Sequence, residues 1–338
     1  MSKIRTAVNN VDLRRFRFWL QIGFFVLFIY GGYFAVNLGN ELPTFACGYN
    51  QEGRGGVCFL LPMQHLLAAR WSMLFSYAGI AVLTAFLYFT LWFIVLNKSW
   101  CGYACPLGTL QDWITSLRVR LGVRYSRYSQ GQFKSLTVIK YVLLALTILL
   151  PLGVGGALLP HTLGTPFCDI CPGRMLLPLF NADVSQLTID FSTKTAMIMT
   201  ALGMLITGLF LAGAFVKKRF FCFFCPMSAL QYLFSKPALL NLKKDGDKCT
   251  RCGDCYRVCD LDIREIADDV EKSRIMQDDC IMCLKCVAAC PEDGALKATF
   301  VGFPIFESTE QGFIKRMNRH QGTKPEFEPK RETAGNQT

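Results

Sequence analysis

Cys249-Thr250-Arg251-Cys252-Gly253-Asp254-Cys255-Tyr256-Arg257-Val258-Cys259 and Cys280-Ile281-Met282-Cys283-Leu284-Lys285-Cys286-Val287-Ala288-Ala289-Cys290-Pro291 decide how this chain is read. In each run three cysteines stand at two-residue gaps and a fourth follows after three residues, the ligand spacing of paired cubane iron–sulfur clusters. Each run gives three thiolates to one cluster and lends its fourth to the other. Cluster one takes Cys249, Cys252, Cys255 and Cys290, and cluster two takes Cys280, Cys283, Cys286 and Cys259. Zinc sites or a disulfide framework are the rival readings, but zinc sites usually draw on two separated cysteine pairs. Clusters of this kind move single electrons. Asp260 follows Cys259 where the motif usually has proline, and its carboxylate is expected to lower that cluster's potential without abolishing ligation.

The rest of the chain is apolar. Hydrophobic residues make up 52% with 28 Phe, and mean hydropathy is +0.30. Four stretches reach the roughly 20 residues a bilayer crossing takes: Trp19–Val36, Ser72–Leu96, Val138–Leu159 and Thr195–Val216. Lys140 is the one charge inside them and is expected to snorkel to the interface. The first stretch lacks a small-residue cleavage site and reads as an anchor that stays. Basic residues gather before the first helix (Lys3, Arg5, Arg14, Arg15, Arg17), between the second and third (Lys98, Arg118, Arg120, Arg124, Arg127, Lys134) and after the fourth (Lys217, Lys218, Arg219). That asymmetry puts both termini in the cytoplasm. It also accounts for most of the net charge of +11, so a nucleic-acid partner is not expected. Gln111–Phe133 reads either as an interfacial helix on the cytoplasmic leaflet or as a helix packed on the cluster domain.

Eight of the sixteen cysteines remain, and topology divides them. Cys101-x3-Cys105-Pro106 and Cys222-x2-Cys225-Pro226 fall on the cytoplasmic side, where a turn closed by proline presents two thiolates together. Cys101, Cys105, Cys222 and Cys225 are expected to share a third cluster, with reduced thiols as the alternative. Cys47, Cys58, Cys168 and Cys171 fall on the outer side, as a fourth cluster or as disulfides. Phe167–Pro172 echoes Phe221–Pro226 and suggests an internal repeat. His65 and His161 lie near the outer helix ends, where imidazoles can accept the protons a quinol releases on oxidation; interfacial histidines bonded to backbone are the plainer reading.

The expected architecture is an α-helical membrane protein. A cytoplasmic segment (1–18) precedes a four-helix transmembrane bundle with cysteine–proline turns (19–235). A C-terminal cytoplasmic α+β ferredoxin-like two-cluster [4Fe-4S] domain (236–302) and a polar, flexible tail (303–338) follow. No nucleotide-binding glycine motif is present, which argues against direct NADH oxidation.

At Trp100-Cys101-Gly102-Tyr103-Ala104-Cys105-Pro106, Cys222–Pro226 and the paired cluster runs, the chain resembles the NapH-type ferredoxin-like quinol dehydrogenases, with relatives in nitrous-oxide reductase maturation (NosR) and cytochrome oxidase assembly (CcoG). The second turn has two residues between its cysteines where NapH-like members usually have three, and Cys47, Cys58, Cys168 and Cys171 are not part of the family pattern. The resemblance implies a multi-pass protein of the bacterial inner membrane. It implies electron exchange between the quinone/quinol pool and a partner, another iron–sulfur or cytochrome subunit, as the electron-transfer subunit of a quinol dehydrogenase. The alternatives are a reductase aiding metal-centre or cofactor assembly and a redox sensor.

Overall fold

The computed structural model describes residues 8–9, 11–34, 58–69, 76–123, 126–128, 130–275 and 279–320. Helix α1 (Leu13–Tyr30) starts at Asp12, whose carboxylate accepts from Arg15 N. It is followed by α2 (Leu60–Ala68), α3 (Tyr77–Leu96), α4 (Ser99–Tyr103), α5 (Pro106–Arg120) and α6 (Gln130–Gly155). Next come two short helices, α7 (Pro166–Ile170) and α8 (Pro172–Leu176), then α9 (Lys194–Val216) and α10 (Pro226–Ser235).

Three of these carry spans long and apolar enough to cross a membrane: Gly79–Leu96, Ser135–Gly155 and Lys194–Val216. Their exposed faces are apolar at helical spacing: Leu83, Leu87 and Leu91 on α3, Val138, Val142, Leu146 and Leu149 on α6, and Ile198, Leu202, Leu205 and Leu209 on α9. A helix in water turns such a stripe inward, so these stripes mark lipid-facing surface. Among the described residues α1 does not join the group, because Arg14, Arg15 and Arg17 occupy its first turns.

The cluster domain is built on a three-stranded antiparallel sheet, β1 (Leu240–Lys244), β2 (Leu296–Phe300) and β3 (Phe303–Glu307), in that spatial order. Short helices α11 (Asp254–Arg257), α12 (Glu265–Asp268) and α13 (Lys285–Ala289) carry the loops, and α14 (Glu310–His320) closes the unit. The domain therefore runs past residue 302. Phe303–Glu307 is a strand rather than tail because Phe306 buries against the core, and Arg316 of α14 donates to the Ala288 and Asn9 carbonyls. The remaining tail, from 321, lies outside the described residues.

The domain is fastened to the helices by polar contacts. Lys140 on α6 does not snorkel: its ammonium is fully buried 2.6 Å from Asp279, the residue before Cys280. Asn97 Nδ2 donates to the Leu240 carbonyl, and Leu239 N to the Ile94 carbonyl.

Candidate iron–sulfur electron-transfer site

The two cluster loops share one backbone design. Arg251 and Gly253 in the first run, and Met282 and Leu284 at the equivalent positions of the second, all have positive φ. Alternating left-handed residues turn successive N–H groups to one side, a concavity suited to an anionic centre. Cys249, Cys252, Cys255 and Cys290 line one pocket. Cys259, Cys280, Cys283 and Cys286 line the other. These are the two quartets expected from the spacing, with the fourth ligand exchanged between runs. Among the described residues no three His, Cys, Asp or Glu side chains are arranged to hold a single metal ion. N–H groups of Leu261 and Ile263 donate to Cys259, and that of Met282 to Cys280. Burial pushes the Cys255 and Cys280 thiols up to about 11. The donor set and the inward N–H groups fit cubane clusters.

The cysteine–proline turns repeat another local solution. Cys105, Cys171 and Cys225 each stand at a helix N-cap with extended backbone, and the proline after each begins α5, α8 and α10. Proline costs nothing at that position, since its missing N–H would be unpaired in any case. Freed N–H groups of the first turn then reach the sulfur: Leu107 and Gly108 donate to Cys105, and Ser228 to Cys225. Cys101 is an electrostatic neighbour of Cys105, Cys222 and Cys225, so the four side chains converge. Cys101 and Cys222 pack against the cluster-domain core, Cys105 and Cys225 against the helix core. Gln231 is fully buried, with its Oε1 2.8 Å from Cys101 Sγ and its Nε2 without a partner. Turning that amide over would offer the sulfur a donor, which a ligating thiolate requires.

Of the outer four, Cys47 lies outside the described residues. Cys58 and Cys171 join the helix core beside Cys105 and Cys225, and Cys171 is an electrostatic neighbour of Cys225. Cys168 Sγ accepts from Gln64 Nε2 at 3.2 Å. Cys171 thus comes close to the turn that holds Cys225. α7 and α8 fold back into the bundle against α9, where Gly203 makes room: a Cβ there would stand 2.7 Å from the Asp169 carbonyl and against Met175. Thr207 donates to Met175 Sδ, and Phe180 packs on Phe25 and Trp113. Re-entrant backbone is tolerated at such depth only when buried in protein. Among the described residues no disulfide joins the cysteines.

A buried ion network lies between the second quartet and the interfacial turn, and sequence reasoning missed it. Asp112 on α5 receives Arg17 (2.7 Å) and Arg219 twice (2.6 and 2.8 Å). Asp260 receives Lys285 (2.8 Å), Arg17 (3.2 Å) and Lys218 (3.7 Å). Arg17 and Gln21 donate to the Gly102 carbonyl, and Arg219 to that of Cys101. Four cations facing two carboxylates leave excess positive charge between the thiol groups, so the lowered potential expected from Asp260 does not follow. The surrounding cations hold the Asp260 carboxyl far below the usual range against its desolvation. Asp112 also decides the reading of Gln111–Phe133: the helix begins earlier, at Pro106, and packs on α1 and α9 with Arg118 buried and Leu117 outward.

His65 and His161 are both exposed, at the end of the bundle where Ala68 meets Gly164. His65 is an electrostatic neighbour of Asp169, which pairs with Arg174.

Paired thiol quartets on a small sheet, fastened to long apolar helices, define an iron–sulfur electron-transport protein. A 4Fe-4S dicluster domain matches residues 241–291, and a 4Fe-4S binding domain matches twice, over 78–124 and 199–245, each copy holding one cysteine–proline turn. The ferredoxin-type protein NapH of Haemophilus influenzae is 25% identical over 82% of this chain and 88% of its own. The putative electron transport protein YccM of Escherichia coli is 25% identical over 70% and 62%. The uncharacterized protein MJ0750 of Methanocaldococcus jannaschii is 26% identical over 59% and 71%. No solved structure matches the chain. These relatives support a likeness to the NapH-type ferredoxin membrane proteins, and with the three apolar helices they suggest the inner membrane.

Proposed function

We propose that this chain exchanges electrons between the membrane quinone pool and a redox partner, along cysteine groups stacked from the exposed edge of the ferredoxin-like domain into the helices. The observation that carries this is contiguity. Cys252 is exposed at one end. Cys286 neighbours Cys255 across the two quartets. A Cβ on Gly102, between Cys101 and Cys105, would stand 3.4 Å from Cys283 Cα, and Tyr103 Oη donates to the Cys283 carbonyl. Cys225 then neighbours Cys171. Cubane clusters held by these thiolates supply one-electron steps. The protein's part is to hold the thiolates close, exclude water and keep positive charge between them.

At the end of this path farthest from Cys252, His65 with Asp169 and Arg174 forms the candidate quinol site. Two-electron oxidation of a quinol releases two protons, and His65, beside Asp169, is the residue to accept one. The excess of basic residues in the loops supports a cytoplasmic ferredoxin-like domain and termini, with α1 as the fourth span.

The test is anaerobic addition of a reduced short-chain quinol to proteoliposomes of the iron-loaded protein. Bleaching of the iron–sulfur absorbance is expected, at least tenfold slower for His65→Ala. Clusters that stay oxidised with quinol yet reduce fully with dithionite would sink the reading.

A further inference from the structure

The β2–β3 turn presents an apolar tip that the electron-transfer role does not use. Val301 and Gly302 form a two-residue hairpin turn, both at positive φ (50° and 84°). This turn type favours Asn-Gly, because a β-branched residue at positive φ is strained. Valine holds the position, and it is 54% exposed. Phe303 beside it is 73% exposed, and Ile305, the extra residue of a bulge between Pro304 and Phe306, is 44% exposed. Neither turn geometry nor core packing accounts for three large apolar side chains in water.

Their place in the fold does. Phe303 lies opposite Phe300, and Phe300 opposite Leu240, so the tip is at the end of the sheet where β1 begins. That end is bonded to the last turn of a membrane span: Val301 N donates to the Leu239 carbonyl, and Leu239 N to the carbonyl of Ile94 on α3. Asn97 Nδ2 holds the Leu240 carbonyl. The tip is thus about two strand spacings, roughly 10 Å, from the apolar surface of α3 that ends at exposed Leu91 and Trp92. Leu233 and Lys236, at the end of α10 that leads into β1, are also exposed. A protein strand adding to the β3 edge is a poor fit, because Pro304 removes a donor there.

We infer that the Val301–Ile305 hairpin dips into the headgroup and upper acyl region of the bilayer as a second, interfacial anchor. It would fix the tilt of the ferredoxin-like domain over the membrane, with the strain at Val301 offset by apolar burial in lipid. This inference rests on the membrane reading of α3.

The experiment uses the full chain, iron-loaded, in phosphatidylethanolamine/phosphatidylglycerol vesicles, with a photo-reactive benzoylphenylalanine in place of Leu91, Phe303 or Asp247. Asp247 is exposed just beyond the opposite end of β1. Phospholipid adducts found by mass spectrometry at 91 and 303, at least fivefold above 247, are expected. A lipid adduct at 91 with none at 303, or a protein adduct at 303, overturns the anchor. Failure at both 91 and 303 overturns the membrane reading itself. Val301→Asn, which relaxes the turn, is expected to keep iron content unchanged while cutting the 303 lipid adduct at least twofold; an unchanged yield would show that the valine does not matter.

Discussion

Arg219 shows how much of this protein rests on single charges away from water. Its guanidinium is 1% exposed, doubly bonded to Asp112, and it lies beside Cys222. Removing one partner of a buried pair costs about 3–5 kcal/mol, because the other charge stays behind. Arg219→Met should therefore lower the denaturation midpoint in detergent markedly and raise the fraction of iron-poor protein. The sequence placed Arg219, Lys218 and Arg17 in the basic clusters that orient membrane proteins, and said nothing of their burial. The reason is physical: a loop lysine in water and one facing Asp260 look alike until residues 243 apart, such as Arg17 and Asp260, are brought together. The cysteines carry their own test. Cys222→Ser or Cys101→Ser should lose about four irons per chain and leave the ferredoxin-type electron paramagnetic resonance signal intact. A loss confined to the ferredoxin signal would remove the interfacial site.

Among the elements, those with a strong period were legible and the re-entrant pair was not. The spans near 72–96 and 195–216 agree with α3 and α9 because apolar runs of that length have one solution in lipid. α7 and α8 are five residues each, too short for any periodicity to signal that Cys171 reaches in toward Cys225. The echo of Phe167–Pro172 in Phe221–Pro226 held the information, since both turns begin helices in the same way. Two glycines provide element-scale tests. Gly203→Leu should push α7 and α8 off α9, an overpacking cost of roughly 1–3 kcal/mol, and abolish any iron bound through Cys168 and Cys171. Gly102→Ala places a methyl 2.6 Å from the Ile281 carbonyl. It should slow electron passage between the interfacial turn and the ferredoxin-like domain without changing iron content, as stopped-flow reduction would show.

The whole molecule is two units joined through buried polar contacts, and Lys140–Asp279 is the joint most open to experiment. Lys140→Met alone should destabilise by about 3–5 kcal/mol, read as loss of cluster absorbance on heating. Adding Asp279→Leu should recover most of that, since a buried pair replaced by apolar groups is often neutral. Long apolar helices joined to a 4Fe-4S dicluster domain were legible because those patterns are local, whereas the docking of the two units depends on contacts the chain makes only once folded. One consequence concerns the order of events during synthesis. The interfacial turn draws Cys101 and Cys105 from one half of the chain and Cys222 and Cys225 from the other, on either side of α6 and α9. Cys259 likewise waits for the run at 280–286. An iron centre at the interfacial turn would therefore have to wait until Cys225 has been made, and the ferredoxin-like pair until Cys290 has; up to those points the nascent chain is an empty scaffold.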